Sequence, residues 1–421
     1  MARYTMEAAR RWCPVMGLVL LVSAQVPSAQ AAAIEVTPGP VLASKLAFGT
    51  PTEMAEAGVL MAKASTAAAM WSSFLLDPIT IKFAIDYDPV PIPGVLGYFD
   101  VDALGVTGSF DYTEVKTKLG LDITSPEDAT AVGSLQPGTH LNMVSNVTTA
   151  TPSFRMQFIP GTHDFTFNSE LRLTRANQKA LGLLAAHDGG PGADGTIKIN
   201  SLALGALDLT PGPGVDPGKL DPMTIVAHEM GHALGFIGGV DHIDFAGEKT
   251  PLRLRGPPGY GTDLDLTDDT IFTVLDLFRY SHDSIALATQ PVTGAVLDWA
   301  FDQASPAPGE GPYFSIDAGA TMLALFSTGS FNGDGYQAQH WKDSDFVFPA
   351  PPLGLMDPDL ALMEILLISP FDLMAMDAIG YDLVIPEPAS ALWLALFTLS
   401  LAARRTRSPA AQGATAKTRT A

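Results

Sequence analysis

Five residues, His228-Glu229-Met230-Gly231-His232, followed at once by Ala233-Leu234-Gly235-Phe236, constrain this chain more than any other stretch. On a helix, positions four apart share a face about one turn apart, so the two imidazoles converge on one point. That is half of a metal site. Glu229 is rotated from both by about a third of a turn, close enough to reach a water at the cation and too far round to bind the cation itself. It reads as a general base. Zn²⁺ suits imidazole ligation with one position open, because it takes tetrahedral nitrogen donors and lowers the pKa of bound water to about 7. The chemistry implied is metal-assisted hydrolysis of an amide. The same five residues also occur by chance on surface helices, so the flanks carry weight. Asp221 is placed to cap this helix and Pro222 to open it. Ile225, Val226 and Met230 supply packing positions, and Gly235 ends it where the chain must turn under the metal.

A chain of 421 residues, 47 % hydrophobic, can bury a large core. It holds 24 basic and 45 acidic residues, a net charge of −21. Both ends are basic, with Arg3, Arg10 and Arg11 against Glu7 at the start and Arg404, Arg405, Arg407, Lys417 and Arg419 at the finish, so the body between is more acidic still. Such a body repels phosphate backbones, which excludes nucleic acid as a partner. The one cysteine, Cys13, lies in a segment expected to be removed. Disulfides, thiol nucleophiles and thiolate ligands are then excluded from the mature chain, which fits a bacterial envelope better than an animal secretory pathway.

Residues 1–31 have the parts of a signal peptide: Arg10 and Arg11, an apolar run from Val15 to Ala24, and Ala29-Gln30-Ala31 as a small-x-small cleavage site. A linker is expected around Thr37–Pro40, then an Ala- and Met-rich helix over 52–75. The segment 32–75 stands where a propeptide would. Ile79 to Asp88 alternates strictly and predicts a strand with one buried face. Further strands are predicted at Phe154–Ile159, Asp164–Leu173 and Thr196–Leu202, and short helices near Tyr112–Leu119 and Arg175–Leu184. The class is α+β. Thr196–Leu202 is either an exposed edge that could pair with an extended peptide or an ordinary interior strand. Asp188–Gly195, Asp263–Asp269 and Asn332-Gly333-Asp334-Gly335 have the oxygen- and glycine-rich look of Ca²⁺ loops, none with a full ligand spacing. Asn146-Val147-Thr148 matches a glycosylation sequon, a signal too common to use.

Two histidines do not hold a catalytic zinc, so a third donor is needed. Of eight histidines, His140, His163 and His187 precede the helix, and His242, His282 and His340 follow it. Asp241, just past the glycine turn, is a carboxylate rival or, instead, a partner that fixes a histidine tautomer. The residues alone leave these open. The run His-Glu-x-x-His-x-x-Gly resembles the metzincin zinc peptidases, whose third ligand usually follows three residues after the glycine; here that position is Gly238. The chain is more similar to the leishmanolysin-like branch, in which an insertion separates the glycine from a distant histidine shortly before a methionine turn. Gln339-His340-Trp341 and Gly354-Leu355-Met356-Asp357-Pro358 stand in that order. Ser369-Pro370-x-Asp372-Leu373 through Ala378-Ile379-Gly380-Tyr381 looks like the helix that follows in those enzymes.

The resemblance implies His228, His232 and His340 as zinc ligands, with Asp241 the alternative third donor, Glu229 as base and Met356 as an apolar floor. It implies a metzincin-like zincin over 76–384: a mixed sheet plus active-site helix in an N-terminal lobe, and an irregular or helical C-terminal lobe with the methionine turn. The likeness covers the zinc helix and most of 331–382, is vague before 190 and is nearly absent from 243–330. No tyrosine follows Met356 where some related enzymes keep one. The last helix is also readable from its own residues, with Ser369 capping, Pro370 at N1, Asp372 completing the capping box and Gly380 ending it. Arg279 is expected to fix a loop through a bidentate pair with an acid.

After Ile385-Pro386-Glu387-Pro388, an apolar run from Ala389 to Ala403 precedes Arg404, Arg405 and Arg407. At 1.5 Å per residue the run spans about 22 Å, short of a hydrocarbon core of about 30 Å. Residues 385–407 resemble the PEP-type sorting signals of Gram-negative bacteria, which an exosortase processes, and 408–421 form a tail. The expected address is outside the cytoplasm: extracellular, cell-surface or periplasmic, with transient membrane association through that segment. Two readings stand. One is an exported zinc endopeptidase acting on proteins or peptides. The other is a cell-surface or matrix-binding protein whose zinc is structural, closed by four protein ligands.

Overall fold

A computed structural model describes residues 32–88, 97–99, 107–146, 157–187, 192–212, 214–246, 268–287, 296–300, 311–331, 333–342 and 352–384. The stretches expected to be a signal peptide (1–31), a sorting signal (385–407) and a tail (408–421) lie outside the described residues. Among the described residues no helix is long and apolar enough to cross a membrane.

Strand β1 (Ala33–Pro38) runs parallel to β2 (Thr80–Asp88), with Ala33 opposite Thr80 and Pro38 opposite Ile85. Parallel neighbours need a long crossover, and helices α1 (Pro40–Phe48) and α2 (Pro51–Ser72) provide it. The stretch expected as a linker around Thr37–Pro40 is therefore the end of a strand and the start of a helix. Gly39 at the N-cap of α1 has no side chain to offer; Asp86 on β2 accepts from the amides of Val41 (3.3 Å) and Leu42 (2.8 Å) in its place.

The Ala-rich helix forms as predicted. Thr50 and Glu53 make a capping box with Pro51 at its first position. Ala57, Leu60, Ala64, Ala67, Ala68 and Trp71 recur at helical spacing and are buried, so small side chains on this face let another helix approach closely. β1 and α2 share one hydrophobic core with residues as distant as Trp341 and Tyr381. Removal of 32–75 as a propeptide would take a strand and a core helix with it.

The sheet continues with β3 (Gly97–Phe99) and β4 (Gly195–Asn200), in the order β1-β2-β4-β3. β4 is parallel to β2 and antiparallel to β3. The strand expected over Thr196–Leu202 is thus interior: β3 covers the edge that a peptide would have used, and Ile197 and Ile199 are fully buried. Helix α3 (Pro222–Leu234) packs on α2 and against β3 and β4.

The remainder is built of small pieces. Thr107–Asp111 pairs with Glu170–Thr174, Met143–Ser145 lies between Gln157–Ile159 and Leu297–Trp299, and Tyr313–Phe314 lies between Arg279–Tyr280 and Ala324–Leu325. The strand predicted over Asp164–Leu173 divides into a 3₁₀ turn, Thr166–Asn168, and the strand Glu170–Thr174. The helix predicted over Arg175–Leu184 stops at Ala180. Of the strand predicted at Phe154–Ile159, Gln157–Ile159 is described. Helix α4 (Pro370–Ala378) has the predicted Ser369–Asp372 capping box, with Gly380 in the left-handed region at φ 98° beyond it. The architecture is α+β with several small sheets.

Candidate metal centre

The side chain of Asp221 caps α3, accepting from the amides of Met223 (3.3 Å) and Thr224 (3.1 Å), and Lys63 of α2 stands 3.6 Å from it. Trp71 of α2 donates its indole N–H to Ala227 O at 2.9 Å, pinning the turn before the first histidine. Gly235 ends the helix at φ 125°, a conformation that costs a side chain strain. Gly231 is required for a different reason. A Cβ there would collide with Met356 Sδ and press on Trp71 Cζ2. Fully buried Met356 therefore packs against α3 between its two histidines, where an apolar floor was expected.

His340 meets His228 and His232. Its Nε2 lies 3.0 Å from His228 Nε2 and 3.1 Å from His232 Nε2, and the latter two are 3.1 Å apart. Each ring donates its other nitrogen to a backbone carbonyl: His228 Nδ1 to Leu355 O (2.8 Å), His232 Nδ1 to Phe236 O (2.6 Å) and His340 Nδ1 to Gln337 O (3.3 Å). Carbonyls only accept, so the three Nδ1 atoms carry the protons and the three Nε2 atoms present lone pairs to one another. Three facing acceptors repel unless a cation shares them. A proton is opposed by burial, which pushes His228 down to about 4 and His232 down to about 3, His228 adding repulsion at His232. Burial, then His232 and His228, drives His340 well down too. Tetrahedral zinc with bonds of about 2.0–2.1 Å sets nitrogen donors about 3.3 Å apart, within a few tenths of this triangle. The trio could hold a metal ion, and among the described residues no other group of such donors is comparably close. Glu229, 7 % exposed, lies between the two histidines in α3.

The third histidine is placed by contacts that its sequence neighbourhood did not reveal. Trp341 donates its amide to Met356 O (3.0 Å) and its indole N–H to Asp372 Oδ1 (2.8 Å). Asp372, predicted only as part of a cap, is wholly buried and also accepts from the amides of Leu355 (2.8 Å), Met356 (3.3 Å) and Ser369 (2.7 Å). One carboxylate thereby fixes the Leu355–Met356 turn, whose Leu355 carbonyl orients His228, and the residue beside His340. Gly238, where the shorter metzincin spacing would put a ligand, instead donates its N–H to Gln339 Oε1 at 3.0 Å.

Asp241, the alternative third donor, is not in the group. Its two oxygens accept from the amides of Ala338 (2.5 Å) and Gln339 (3.2 Å), and burial pushes its pKa up to about 7 against the pull of those amides. Arg279 does not use its fork on an acid as expected. Its Nη1 donates to Ala338 O (2.9 Å) and its Nη2 to Ser327 O (3.1 Å), over the ring of Phe326. His242 and His282 are exposed and stand outside the group.

The loops with a calcium-like look are only partly described. In two of them a cation already answers an acid: Asp194 meets Lys179 (2.7 Å) and Arg175 (3.3 Å), and Asp334 meets Lys342 (2.5 Å). Residues 188–191, 263–267 and 332 lie outside the described residues, as do Val147 and Thr148 of the sequon. No protein-family model, curated protein or solved structure matches the chain.

Proposed function

We propose that this chain is a metal-dependent hydrolase that uses zinc. More narrowly, it is an exported endopeptidase with the leishmanolysin-like variant of the metzincin arrangement. The observation that carries this reading is the triangle of three Nε2 lone pairs at 3.0–3.1 Å, each ring locked by its Nδ1–H on a backbone carbonyl. His228, His232 and His340 would hold the zinc, which would supply Lewis acidity toward a peptide carbonyl and a water. Glu229 takes the proton from the attacking water and passes it to the leaving amine, so one water is consumed for each peptide bond broken. The backbone carbonyls of Leu355, Phe236 and Gln337 keep the imidazoles in the tautomer that binds a cation.

The alternative, a surface or matrix protein with a structural zinc, needs a fourth protein donor. Commitment of both Asp241 oxygens to the amides of Ala338 and Gln339 favours the open site. Residues 1–31 and 385–407 support an address in the envelope of a Gram-negative bacterium, with an exosortase-type enzyme handling the C-terminal segment. The acidic body disfavours nucleic acid as a partner. The test is casein hydrolysis by the purified chain with and without a chelator, and by Glu229→Ala. Wild type should be active and chelator-sensitive, and Glu229→Ala should keep its metal while losing activity; full activity in that variant removes the mechanism.

A further inference from the structure

We infer that Asp241 and Arg279 form a charged clamp whose work is to present His340 to the metal, which makes them positioning residues for the third ligand. The inference rests on the reading of the three histidines as a metal site. The two α3 histidines are fixed by the helix itself, four residues apart on one face. His340 has no such support: it follows a chain of turns and comes from a segment remote from α3 in sequence. Its ring must nonetheless stop within 3.1 Å of both others.

The clamp acts on the two residues immediately before His340. Asp241 Oδ1 takes the amide of Ala338 and Oδ2 the amide of Gln339. Arg279 takes the carbonyl of the same Ala338, and its other Nη reaches Ser327 O. Ser327 in turn donates its own amide to His340 O at 2.9 Å. The peptide groups leading into His340 are thus gripped from the acid side at N–H and from the guanidinium side at C=O, and the segment across from it is held by the same guanidinium. Both clamp residues are tied back to the turn that ends α3. Asp241 stands in the first turn of the short helix Val240–Ala246, close after that turn. Arg279 follows the 3₁₀ turn Leu275–Phe278, whose Asp276 accepts from the amides of Gly239 and Thr273, both at 2.8 Å. Gly238 completes the ring by donating to Gln339 Oε1. The clamp therefore measures the position of His340 from the C-terminal end of the helix that carries His228 and His232. In this way a ligand delivered by a long insertion arrives beside the position that a short spacing would have used.

A charge pair spent on backbone groups suits this task. Arg279 presents a planar fork that two carbonyls fill, and lysine offers no such fork. Asparagine at 241 keeps the size of aspartate but presents one N–H₂ group to an amide that also donates.

The experiment is a chelator-competition titration of the full chain with Zn²⁺, comparing wild type, Asp241→Asn, Arg279→Lys and His340→Ala, and each clamp variant combined with His340→Ala. Melting temperatures of the metal-free forms are recorded alongside. Loss of an interaction that orients a ligand costs about 10–100-fold in metal affinity, and that loss is expected in Asp241→Asn and Arg279→Lys. It should shrink to within about twofold once His340 is alanine, because the clamp then has nothing to present. Wild-type affinity in both clamp variants overturns the inference, and so does an equal loss in the His340→Ala background, which marks general damage to the fold. Failure of wild type to take one equivalent of Zn²⁺ defeats the metal-site reading itself and the clamp with it, which separates the two failures.

Discussion

Replacing Asp372 by asparagine tests how far one buried carboxylate organises the centre. Oδ2 accepts from the amides of Leu355 and Ser369, and Oδ1 from the amide of Met356 and the Trp341 indole. Whichever oxygen becomes NH₂, two donors lose their acceptor and face another donor. Each buried donor left unsatisfied costs about 1–3 kcal/mol. Relief from burying a charge returns part of that, because burial holds the pKa of Asp372 above its ordinary value. A net loss of about 3 kcal/mol follows. A folded body of roughly 300 residues unfolds with an entropy of about 0.6 kcal/mol/K, so the melting temperature should fall by about 5 °C. The loss is not confined to stability. Leu355 O orients His228 and Trp341 adjoins His340, so zinc affinity should fall by about 10-fold or more. Calorimetry of metal-loaded and metal-free protein, together with chelator competition, reads both effects. A variant that melts within about 1 °C of wild type and holds zinc equally well would refute the reasoning.

Removing the metal with a chelator at neutral pH should lower the melting temperature of the wild type. Free zinc at about a thousand times its dissociation constant contributes about 4 kcal/mol, or about 6 °C for a body of this size; an unchanged melt on chelation would count against the triad as a metal site. A second dependence comes from a separate group of acids. Burial, then the carboxylates of Asp382 and Asp122, pushes Asp77 up to about 8; burial, then Asp382 and Asp128, pushes Asp122 up to about 7; and burial, then Asp128, pushes Asp377 up to about 8. These folded-state values lie above the unfolded ones. Their stabilising contribution is therefore complete below the usual aspartate range near pH 4 and is lost as pH rises through 7 to 8. The urea midpoint of zinc-loaded protein should fall between pH 6 and 9, less steeply in Asp77→Asn; a flat or rising midpoint contradicts the assignment.

The parts legible in the sequence are those whose signal is local. The period of Ile79–Asp88, the Asp221-Pro222 start of α3, its stop at Gly235 and the Ser369–Asp372 box each lie within one element and need nothing from outside it. Helix α1 carries no local start signal because its cap is supplied by Asp86 on β2, so the local sequence reads as Gly39-Pro40 and nothing more. The interior placement of β4 depended on β3, three residues long and too short to carry a pattern. Arg279 and Asp241 stand out in the sequence, but their partners do not. The sequence shows charges, whereas both side chains were spent on the backbone of 327 and 338–339, which no residue type advertises. His340 was reached through family likeness alone.

The pattern of these misses has a physical cause. A ligand on a helix inherits its geometry from hydrogen bonds that any sequence of suitable propensity makes, so its motif is compact and readable. A ligand on an irregular segment needs its backbone amides and carbonyls satisfied one by one, and buried backbone groups find partners wherever the fold offers them. Here those partners are Asp241, Arg279 and Asp372, drawn from three separate stretches of the chain. The concentration of buried charge around residues 338–341 and 355–356 follows from the same need. Three acceptor nitrogens can be held face to face only if each is fixed from behind: His228 and His232 by the helix and by the carbonyls of Leu355 and Phe236, His340 by the Gln337 carbonyl and by side chains that replace the helix it lacks. The irregular half of the centre therefore depends on buried side chains from outside it, and substitutions there should separate metal affinity from the integrity of α3.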